Sequence, residues 1–142
     1  MANNNGYVDV MLVGPEVEEI FDTLLNNGIT LSKHNLHCTL MYDKRKLPEP
    51  LAELRPNEVF TANVVSLEVL GDGLVFHLTS KMLADEHRRL KEAGYIHGFD
   101  AYLPHMSLTY DFDEYDQLKA RQLFANWGGR QLSFSNEAYG TK

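Results

Sequence analysis

Two short stretches of this chain are near copies of each other. Residues 37–43 read His-Cys-Thr-Leu-Met-Tyr-Asp and residues 105–111 read His-Met-Ser-Leu-Thr-Tyr-Asp, so histidine, leucine, tyrosine and aspartate recur at the same offsets. Threonine in the first copy is matched by serine in the second. One histidine two residues before a hydroxyl residue is common in strands and is usually structural. Two matched copies in a chain of 142 residues predict a duplicated unit that carries chemistry.

The spacing of these residues predicts which side chains project together. Side chains alternate between the faces of an extended strand, so His37 and Thr39 share one face, as do His105 and Ser107 on their own strand. Cys38 turns to the opposite face and is expected to pack as a small apolar residue. If the two strands meet at one cleft, they supply a general base, a general acid and two donors for a phosphoryl group.

The tyrosines of the two motifs follow the same rule. Tyr42 and Tyr110 both stand five residues after their histidine. Because this offset is odd, strict alternation places them on the face away from the histidines. We therefore predict a structural role for both.

The segments that precede the two motifs match by element type and order. Each motif follows a strand, a helix and a connector, and glycine stands just beyond each helix, as is usual at helix ends. Three prolines between residues 47 and 57 predict an irregular loop, and residues 71–73, Gly-Asp-Gly, predict a hairpin turn. The predicted elements are strand 7–13, helix 16–27, the first motif strand from 37, strand 59–70, strand 74–78, helix 80–93, strand 105–110, helix 113–127 and strand 131–135.

Length and composition limit what this frame can be. A chain of 142 residues fits a single domain, 1–142, with one core, and its one cysteine excludes an internal disulfide framework. The polar start lacks a secretion signal and no apolar run approaches the roughly 20 residues of a membrane span, so we expect a cytoplasmic protein without a membrane partner. A net charge of −7 argues against a surface that tracks a long nucleic acid. The basic residues 44–46 could attract a small phosphate ligand, but a solvated charge run is the simpler interpretation.

In its paired motifs and duplicated strand–helix–strand frame, the chain resembles the 2H phosphoesterase superfamily. The narrower resemblance is to the phage anti-CBASS nuclease, a metal-independent enzyme that linearises the cyclic oligonucleotide messengers of bacterial antiphage signalling. The first motif running into a basic segment, the second motif and the residues around both carry this resemblance; those flanking residues are Gly6-Tyr7-Val8, Leu47-Pro48 and Pro104. The superfamily resemblance implies an α+β, 2H phosphoesterase-like fold of two pseudo-symmetric strand–helix–strand lobes, with antiparallel sheets around a central cleft.

The resemblance also implies a function and a set of site residues. It implies a phosphodiesterase that hydrolyses the 3′–5′ bonds of cyclic di- and trinucleotides such as 3′,3′-cGAMP, allowing a phage to evade CBASS immunity in the host bacterial cytoplasm. It implies no cofactor and no metal, and it does not indicate an oligomeric state. The catalytic residues it implies are His37, Thr39, His105 and Ser107, and the substrate-binding residues are Tyr7, which would stack on a base, and Glu137, which would lie near the nucleotide.

The residue types support this chemistry independently of the resemblance. A phosphodiester with a neighbouring 2′-hydroxyl carries its own nucleophile, so two imidazoles suffice to remove one proton and donate another. Thr39 and Ser107 would donate hydrogen bonds to the nonbridging oxygens. The sequence does not indicate which of His37 and His105 is the base.

Alternative interpretations remain at each position. Tyr7 could instead be a core residue and Glu137 a solvated one, and a structural or surface role is favoured for the histidines outside the motifs. Metal binding by the motif histidines lacks further ligands at a recognisable spacing. The other candidate functions are a phosphodiesterase for 2′,5′-oligoadenylate or for 2′,3′-cyclic phosphate RNA ends, and a protein that sequesters cyclic nucleotides without cleaving them. The histidines outside the motifs are His34, His77, His87 and His97.

Overall fold

Six strands and three helices make up the part of the chain that the structure, a computed structural model, describes, namely residues 5–31 and 36–140. The two predicted strand–helix–strand units are present as β1-α1-β2 and β4-α2-β5, and the α+β prediction is confirmed. His34 lies outside the described residues. The elements are β1 (Asn5–Val13), α1 (Glu16–Asn26), β2 (His37–Lys46), β3 (Phe60–Leu70), β4 (Gly73–Thr79), α2 (Lys81–Glu92), β5 (His105–Thr109), α3 (Glu114–Leu123) and β6 (Gln131–Tyr139).

All six strands form one closed antiparallel sheet. Their order is β1-β2-β5-β4-β3-β6, and β6 pairs in turn with β1. The two motif strands, β2 and β5, are direct neighbours in this order, and they pair through Cys38 and Met106. The histidines therefore project from adjacent strands of one sheet, whereas the sequence suggested two lobes that face each other.

Each motif strand contains an irregularity at its leucine. On β2, Val8 pairs with Met41 while the next residue, Asp9, pairs with Thr39, so Leu40 is skipped. On β5, Leu74 pairs with Thr109 and Val75 pairs with Ser107, so Leu108 is skipped in the same way. An extra residue of this kind is a β-bulge, and it reverses the face on which the following side chains lie. The two halves thus share a bulge three residues after the histidine.

The helices begin and end where local chemistry favours it. The Ser80 side chain accepts a hydrogen bond from Leu83 N at the start of α2, and Asp113 with Asp116 forms a capping box at the start of α3. Gly28, with φ +71°, follows α1 in the left-handed region that glycine occupies readily. No helix in the described residues is long and apolar enough to cross a bilayer.

One buried apolar cluster takes side chains from every strand and every helix. Cys38 and Met106 belong to it, so the residue between each histidine and hydroxyl faces the core, as predicted. Trp127 is also in the cluster, stacked on Phe76 with ring centroids 5.7 Å apart. The core thus backs the two motif strands and leaves their opposite face to the site.

Two predicted boundaries were wrong by about one helical turn or more of chain, while the others differ by one or two residues. The third helix ends at Leu123 rather than 127, and β6 runs on to Tyr139 rather than stopping at 135. Asn136 has φ 59°, which locally interrupts the strand, but pairing with β1 resumes through Ala138 and Tyr139. Glu137 therefore lies inside β6 and not after it. The partner strand that extends β6 is distant in sequence, so no local signal marks this extension.

Candidate active site

The pairing of β2 with β5 assembles the four motif residues into one group. Because Cys38 lies opposite Met106 in an antiparallel pair, His37 lies beside Ser107 and Thr39 lies beside His105. Each histidine is thus next to the hydroxyl residue of the other motif. Diagonal neighbours in such a pair are about 7–8 Å apart, with their Cβ atoms somewhat closer, which leaves room for one phosphoryl group between the imidazoles.

This group opens onto a cavity of about 770 Å³. Thr39, His105 and Ser107 line it directly, and so does Tyr7, whose hydroxyl lies 3.2 Å from His37 Nε2. His37 itself is not a lining residue, and it contacts the lining through Tyr7. The remaining lining is mainly aromatic and apolar: Tyr42, Leu70, Gly71, His97, Phe99, Asp100, Ala101, Tyr102, Leu103 and Tyr110.

Tyr7 is central to the first half of the site. Its hydroxyl is hydrogen-bonded to Thr39 Oγ1 at 2.6 Å as well as to His37. Burial raises the pKa of Tyr7 to about 12, so its phenol keeps its proton at neutral pH. When His37 carries a proton at Nε2, it can donate a hydrogen bond to the Tyr7 hydroxyl. The Tyr7 hydroxyl can in turn donate a hydrogen bond to Thr39 Oγ1. The Thr39 hydroxyl can then donate to a ligand in the cavity.

His105 is held in a defined tautomer. Its Nδ1 donates to the Leu103 carbonyl oxygen at 2.8 Å, and since a carbonyl can only accept, the neutral ring carries its proton there. Its Nε2 is then an acceptor. Burial lowers the pKa of His105, the Leu103 bond opposes this, and the nearby His77 and His37 lower it further. A neutral ring with an accepting nitrogen is suited to a general base.

Ser107 has its own tyrosine partner. Tyr110 Oη donates to Ser107 Oγ at 2.9 Å, so the Ser107 hydroxyl can direct its proton toward the cavity. The predicted structural role for Tyr42 and Tyr110 on the far face is wrong, because both line the cavity. The bulges at Leu40 and Leu108 supply the reason, since each returns the tyrosine to the histidine face.

Sequence reasoning also missed the contribution of the connector between α2 and β5, residues 93–104. Six of its residues line the cavity, among them His97, Phe99 and Tyr102. Tyr102 Oη donates to the Thr39 carbonyl oxygen at 2.9 Å and so ties the connector to the backbone of the first motif. The connector carries aromatic residues, but nothing in the sequence indicates where it folds.

Comparison with known proteins assigns this chain to a family. The family model described as "Anti-CBASS protein Acb1" matches residues 6–133. The chain belongs to the Acb1 family. Among curated protein sequences, none matches. A solved structure of Usb1 from Kluyveromyces marxianus aligns over 99% of this chain and 96% of its own, with 10% identity and a TM-score of 0.46.

In this member of the Acb1 family, Glu137 is not brought to the cavity. Its carboxylate is buried on β6, where Oε1 accepts from Arg55 N at 2.7 Å and lies 3.8 Å from Arg89. Burial, together with the neighbouring Glu86 carboxyl, raises the pKa of Glu137 to about 8. Its Oε2 has no hydrogen-bond partner among the described residues, and a proton shared with Glu86 would satisfy it.

The donor set of the site suits proton transfer. Cys38 is fully buried and burial raises the pKa of its thiol to about 12, which excludes it as a nucleophile at neutral pH. Within residues 5–31 and 36–140, no three His, Cys, Asp or Glu side chains lie close enough to hold a metal ion. The arrangement offers two imidazoles and two hydroxyls, groups that are chemically able to serve as acid, base and hydrogen-bond donors.

Proposed function

We propose that this protein is a phosphodiesterase that cleaves the 3′–5′ bonds of cyclic di- and trinucleotides, 3′,3′-cGAMP among them, without a metal ion. The observation that carries the proposal is the meeting of His37, Thr39, His105 and Ser107 on one face of paired strands; three of these residues, Thr39, His105 and Ser107, line a cavity rich in aromatic residues. Two imidazoles and two hydroxyls on one face can supply a base, an acid and two hydrogen-bond donors for such a cleavage. Membership of the Acb1 family supports a role in evading CBASS immunity.

His105 is the better candidate for the base of the first step. Its Nε2 can accept the proton of the substrate's 2′-hydroxyl because Nδ1 is engaged with Leu103. The 2′-oxygen then attacks phosphorus, the bond from phosphorus to the 5′-oxygen breaks, and the 5′-oxygen takes a proton from His37. Each proton transfer of this kind contributes typically 10²- to 10⁴-fold to the rate.

The hydroxyls stabilise the charge that develops on the phosphoryl oxygens. Thr39 accepts from Tyr7 in one proton arrangement, and Ser107 accepts from Tyr110, so each can donate its own proton to a nonbridging oxygen. Donors already oriented before the reaction cost little reorganisation in the transition state. The tyrosines thus act through the motif hydroxyls.

The first step leaves a 2′,3′-cyclic phosphate, and the same pair can open it with the roles reversed. His37, now without its proton, accepts one from water, which attacks phosphorus. His105 returns its proton to the departing 2′-oxygen, and a 3′-phosphate results. Both histidines then regain their starting protonation states.

Charge and size favour a small ligand over a long one. The net charge of −7 is unfavourable for binding a nucleic acid backbone, whose affinity comes chiefly from phosphate contacts. A single enclosed phosphoryl group needs only the local donors of the motifs. A cavity of about 770 Å³ lies within the range of small-molecule sites, roughly 300–1,000 Å³.

The test is to incubate the protein with cyclic dinucleotides, cyclic trinucleotides, 2′,5′-oligoadenylate and RNA ending in a 2′,3′-cyclic phosphate, and to separate the products. We expect linear products from the cyclic substrates, unchanged by EDTA. A cyclic dinucleotide with 2′-deoxyribose should resist cleavage. Cleavage of the deoxy analogue or loss of activity with EDTA contradicts the mechanism. Preference for the linear substrates favours the 2′,5′-oligoadenylate function, and binding without any product favours sequestration.

A further inference from the structure

Phe99 is a large aromatic side chain left mostly exposed at the rim of the cavity. Its exposed fraction is 63%, and it is one of the cavity-lining residues. On its inner side the ring packs against Tyr42, with centroids 5.9 Å apart and planes tilted by 33°, and against the edge of His97 at 5.6 Å. The other side chains around it do not cover it, so its apolar surface is presented to whatever enters the cavity.

The connector that carries Phe99 is anchored to β2. Ile96 N donates to the buried Asp43 carboxylate at 2.8 Å, and Gly98 N donates to the Tyr42 carbonyl oxygen at 2.7 Å. In return, Tyr42 N donates to His97 Nδ1 at 3.2 Å. These three bonds bracket the residues just before Phe99, so its ring is placed before any ligand arrives.

Gly98 shows how closely the connector is seated. A side-chain Cβ at this position would lie 3.1 Å from Lys44 Cε, 3.1 Å from the Tyr42 carbonyl oxygen and 3.3 Å from the Tyr42 ring. Only a residue without a side chain lets the backbone approach β2 so closely. Because a surface that is ordered in advance loses less entropy on binding, this seating favours a binding role for Phe99.

The chemistry of this end of the cavity differs from that at the histidines. Thr39, His105 and Ser107 offer donors suited to a phosphoryl group, whereas Phe99 is followed in the cavity lining by the acidic residue Asp100. A carboxylate repels phosphate, so this end is suited to the part of a nucleotide that carries no charge. That part is the base, whose flat face matches an aromatic ring.

Tyr7 is less suited to the same task. Its side chain is only 7% exposed, and its hydroxyl is engaged with Thr39 and His37. Tyr7 and Phe99 are nevertheless connected, since the Tyr42 ring lies between them at 6.1 Å from the first and 5.9 Å from the second. A nucleotide with its phosphate at the motif hydroxyls can therefore extend its base along this row toward Phe99.

We propose that Phe99 is the stacking surface for one nucleobase of the substrate. This deepens the proposed function and rests on it, because it takes the phosphoryl group to lie at the two motifs. Phe99 determines how tightly the base is held and takes no part in breaking the bond. Its removal should therefore raise KM and leave kcat nearly unchanged.

The experiment compares Phe99→Ala, Phe99→Leu and Phe99→Tyr with the wild type. Binding of a 2′-deoxy cyclic dinucleotide, measured by calorimetry, separates affinity from cleavage, and KM and kcat follow with the ribose substrate. We expect Phe99→Ala and Phe99→Leu to weaken binding by about 5- to 100-fold, the range expected for one stacked base. Phe99→Tyr keeps the ring and should stay within about twofold of the wild type.

A matched control is Tyr115→Ala, which removes another exposed aromatic ring, 67% exposed, from α3 outside the cavity lining. It should bind as the wild type does. Phe99→Leu guards against a folding artefact, because it retains apolar bulk while losing the flat face. If Phe99→Leu binds as tightly as the wild type, or if kcat falls while affinity is unchanged, the stacking proposal is wrong.

A second probe separates this proposal from the proposed function. Adenosine 3′-monophosphate contains one base and one phosphoryl group, is not a cyclic dinucleotide, and is a substrate of neither proposed step. If the wild type cleaves no cyclic dinucleotide, yet Phe99→Ala weakens binding of this probe, the substrate assignment fails and the stacking surface stands. If the cyclic dinucleotide is cleaved and Phe99→Ala binds both probes normally, only the stacking surface is refuted.

Discussion

The two halves of the site orient their motif hydroxyls with tyrosines from different places in the fold. In the first half, Tyr7 on β1 reaches across to Thr39 and also contacts His37. In the second half, Gly73 takes the place of Tyr7. Tyr7 directly precedes Val8, which pairs with Met41 on β2. Gly73 likewise directly precedes Leu74, which pairs with Thr109 on β5. There Tyr110, the residue directly after β5, donates to Ser107.

The glycine explains how Tyr110 comes to do this. A Cβ on Gly73 would lie 2.9 Å from Tyr110 Cε1, so the Tyr110 ring occupies the space that a side chain on β4 would fill. In the first half Tyr7 fills the equivalent space, and Tyr42 packs against Phe99 instead. Each motif hydroxyl therefore has a tyrosine hydroxyl beside it, but the tyrosine comes from β1 in the first half and from the residue after β5 in the second half.

The halves also differ in their exposure to water. Tyr7 is 7% exposed, whereas Tyr110 is 55% exposed. Hydrogen bonds are stronger where water is excluded, so the first half should depend more on its tyrosine than the second. Variants of the two tyrosines should therefore differ in activity, whereas variants of the two histidines should lose activity to a similar extent.

The largest effect should come from the histidines, where the halves act as one unit. His37→Ala and His105→Ala should each lower kcat on a cyclic dinucleotide by about 10²- to 10⁴-fold, because each removes one of two proton transfers. The double variant should be little worse than either single one, since the residues work together. Unchanged thermal unfolding serves as the control. Substantial activity in either single variant would refute the paired mechanism.

Tyr7→Phe should lower kcat/KM more than Tyr110→Phe. Tyr7 loses two hydrogen bonds in a dry site and Tyr110 loses one in an exposed site, and each bond contributes about 0.5–1.5 kcal/mol. We expect a loss of about tenfold or more for Tyr7→Phe and of about 2- to 10-fold for Tyr110→Phe. Tyr115→Phe, outside the cavity lining, is the control. Equal losses would show that the halves do not differ in this respect.

Gly73→Ala should reproduce the Tyr110→Phe loss by a steric route. The added methyl group would displace the Tyr110 ring from Ser107, so the effect on kcat/KM should be of similar size. Combining Gly73→Ala with Tyr110→Phe should cost no more than either alone, as expected for coupled neighbours. Asp72→Ala on the exposed turn is the control. Additive losses would mean that Gly73 has another role.

His77→Gln should shift the pH profile without abolishing activity. His77 lies opposite His105 in the β4–β5 pair, and its charge lowers the pKa of His105. Without it the pKa of His105 rises, and the base loses its proton only at higher pH. The acidic limb of kcat/KM against pH should therefore move to higher pH. A limb that stays in place, or moves to lower pH, would argue against His105 as the base.

Glu137→Gln should leave catalysis unchanged and alter stability. Glu137 lies on β6, which joins the halves between β1 and β3, and the folded state holds its proton up to about pH 8. The unfolded chain releases that proton near the ordinary carboxyl pKa of about 4.5, so the free energy of unfolding falls as pH rises between these values. Glutamine does not titrate, so this decline is absent in the variant. The free energy of unfolding of the variant should therefore rise relative to that of the wild type as pH increases between these values.

Chemical denaturation at several pH values measures this difference, with Glu58→Gln, an exposed neighbour of Arg55, as the control. A rise in KM for the cyclic dinucleotide in Glu137→Gln would instead restore the nucleotide-binding role that the family resemblance implied. It would mean that β6 contributes to the site of one half after all.

The sequence by itself determined the motif, the element order and the inward faces of the first residues of each copy. His37, Thr39, His105 and Ser107 share a face because strand alternation is a local property, and Cys38 and Met106 are buried for the same reason. Helix limits were equally readable at Ser80 and Gly28, where capping involves only neighbouring residues.

Only the tertiary structure decided what surrounds those four residues. The bulges at Leu40 and Leu108 exist by virtue of the partner strands, and they bring Tyr42 and Tyr110 to the site against the alternation rule. Closure of the sheet extends β6 and takes Glu137 away from the cavity, and the connector acquires its place through bonds to β2. These features depend on contacts between segments far apart in the chain, which no local pattern of residues records.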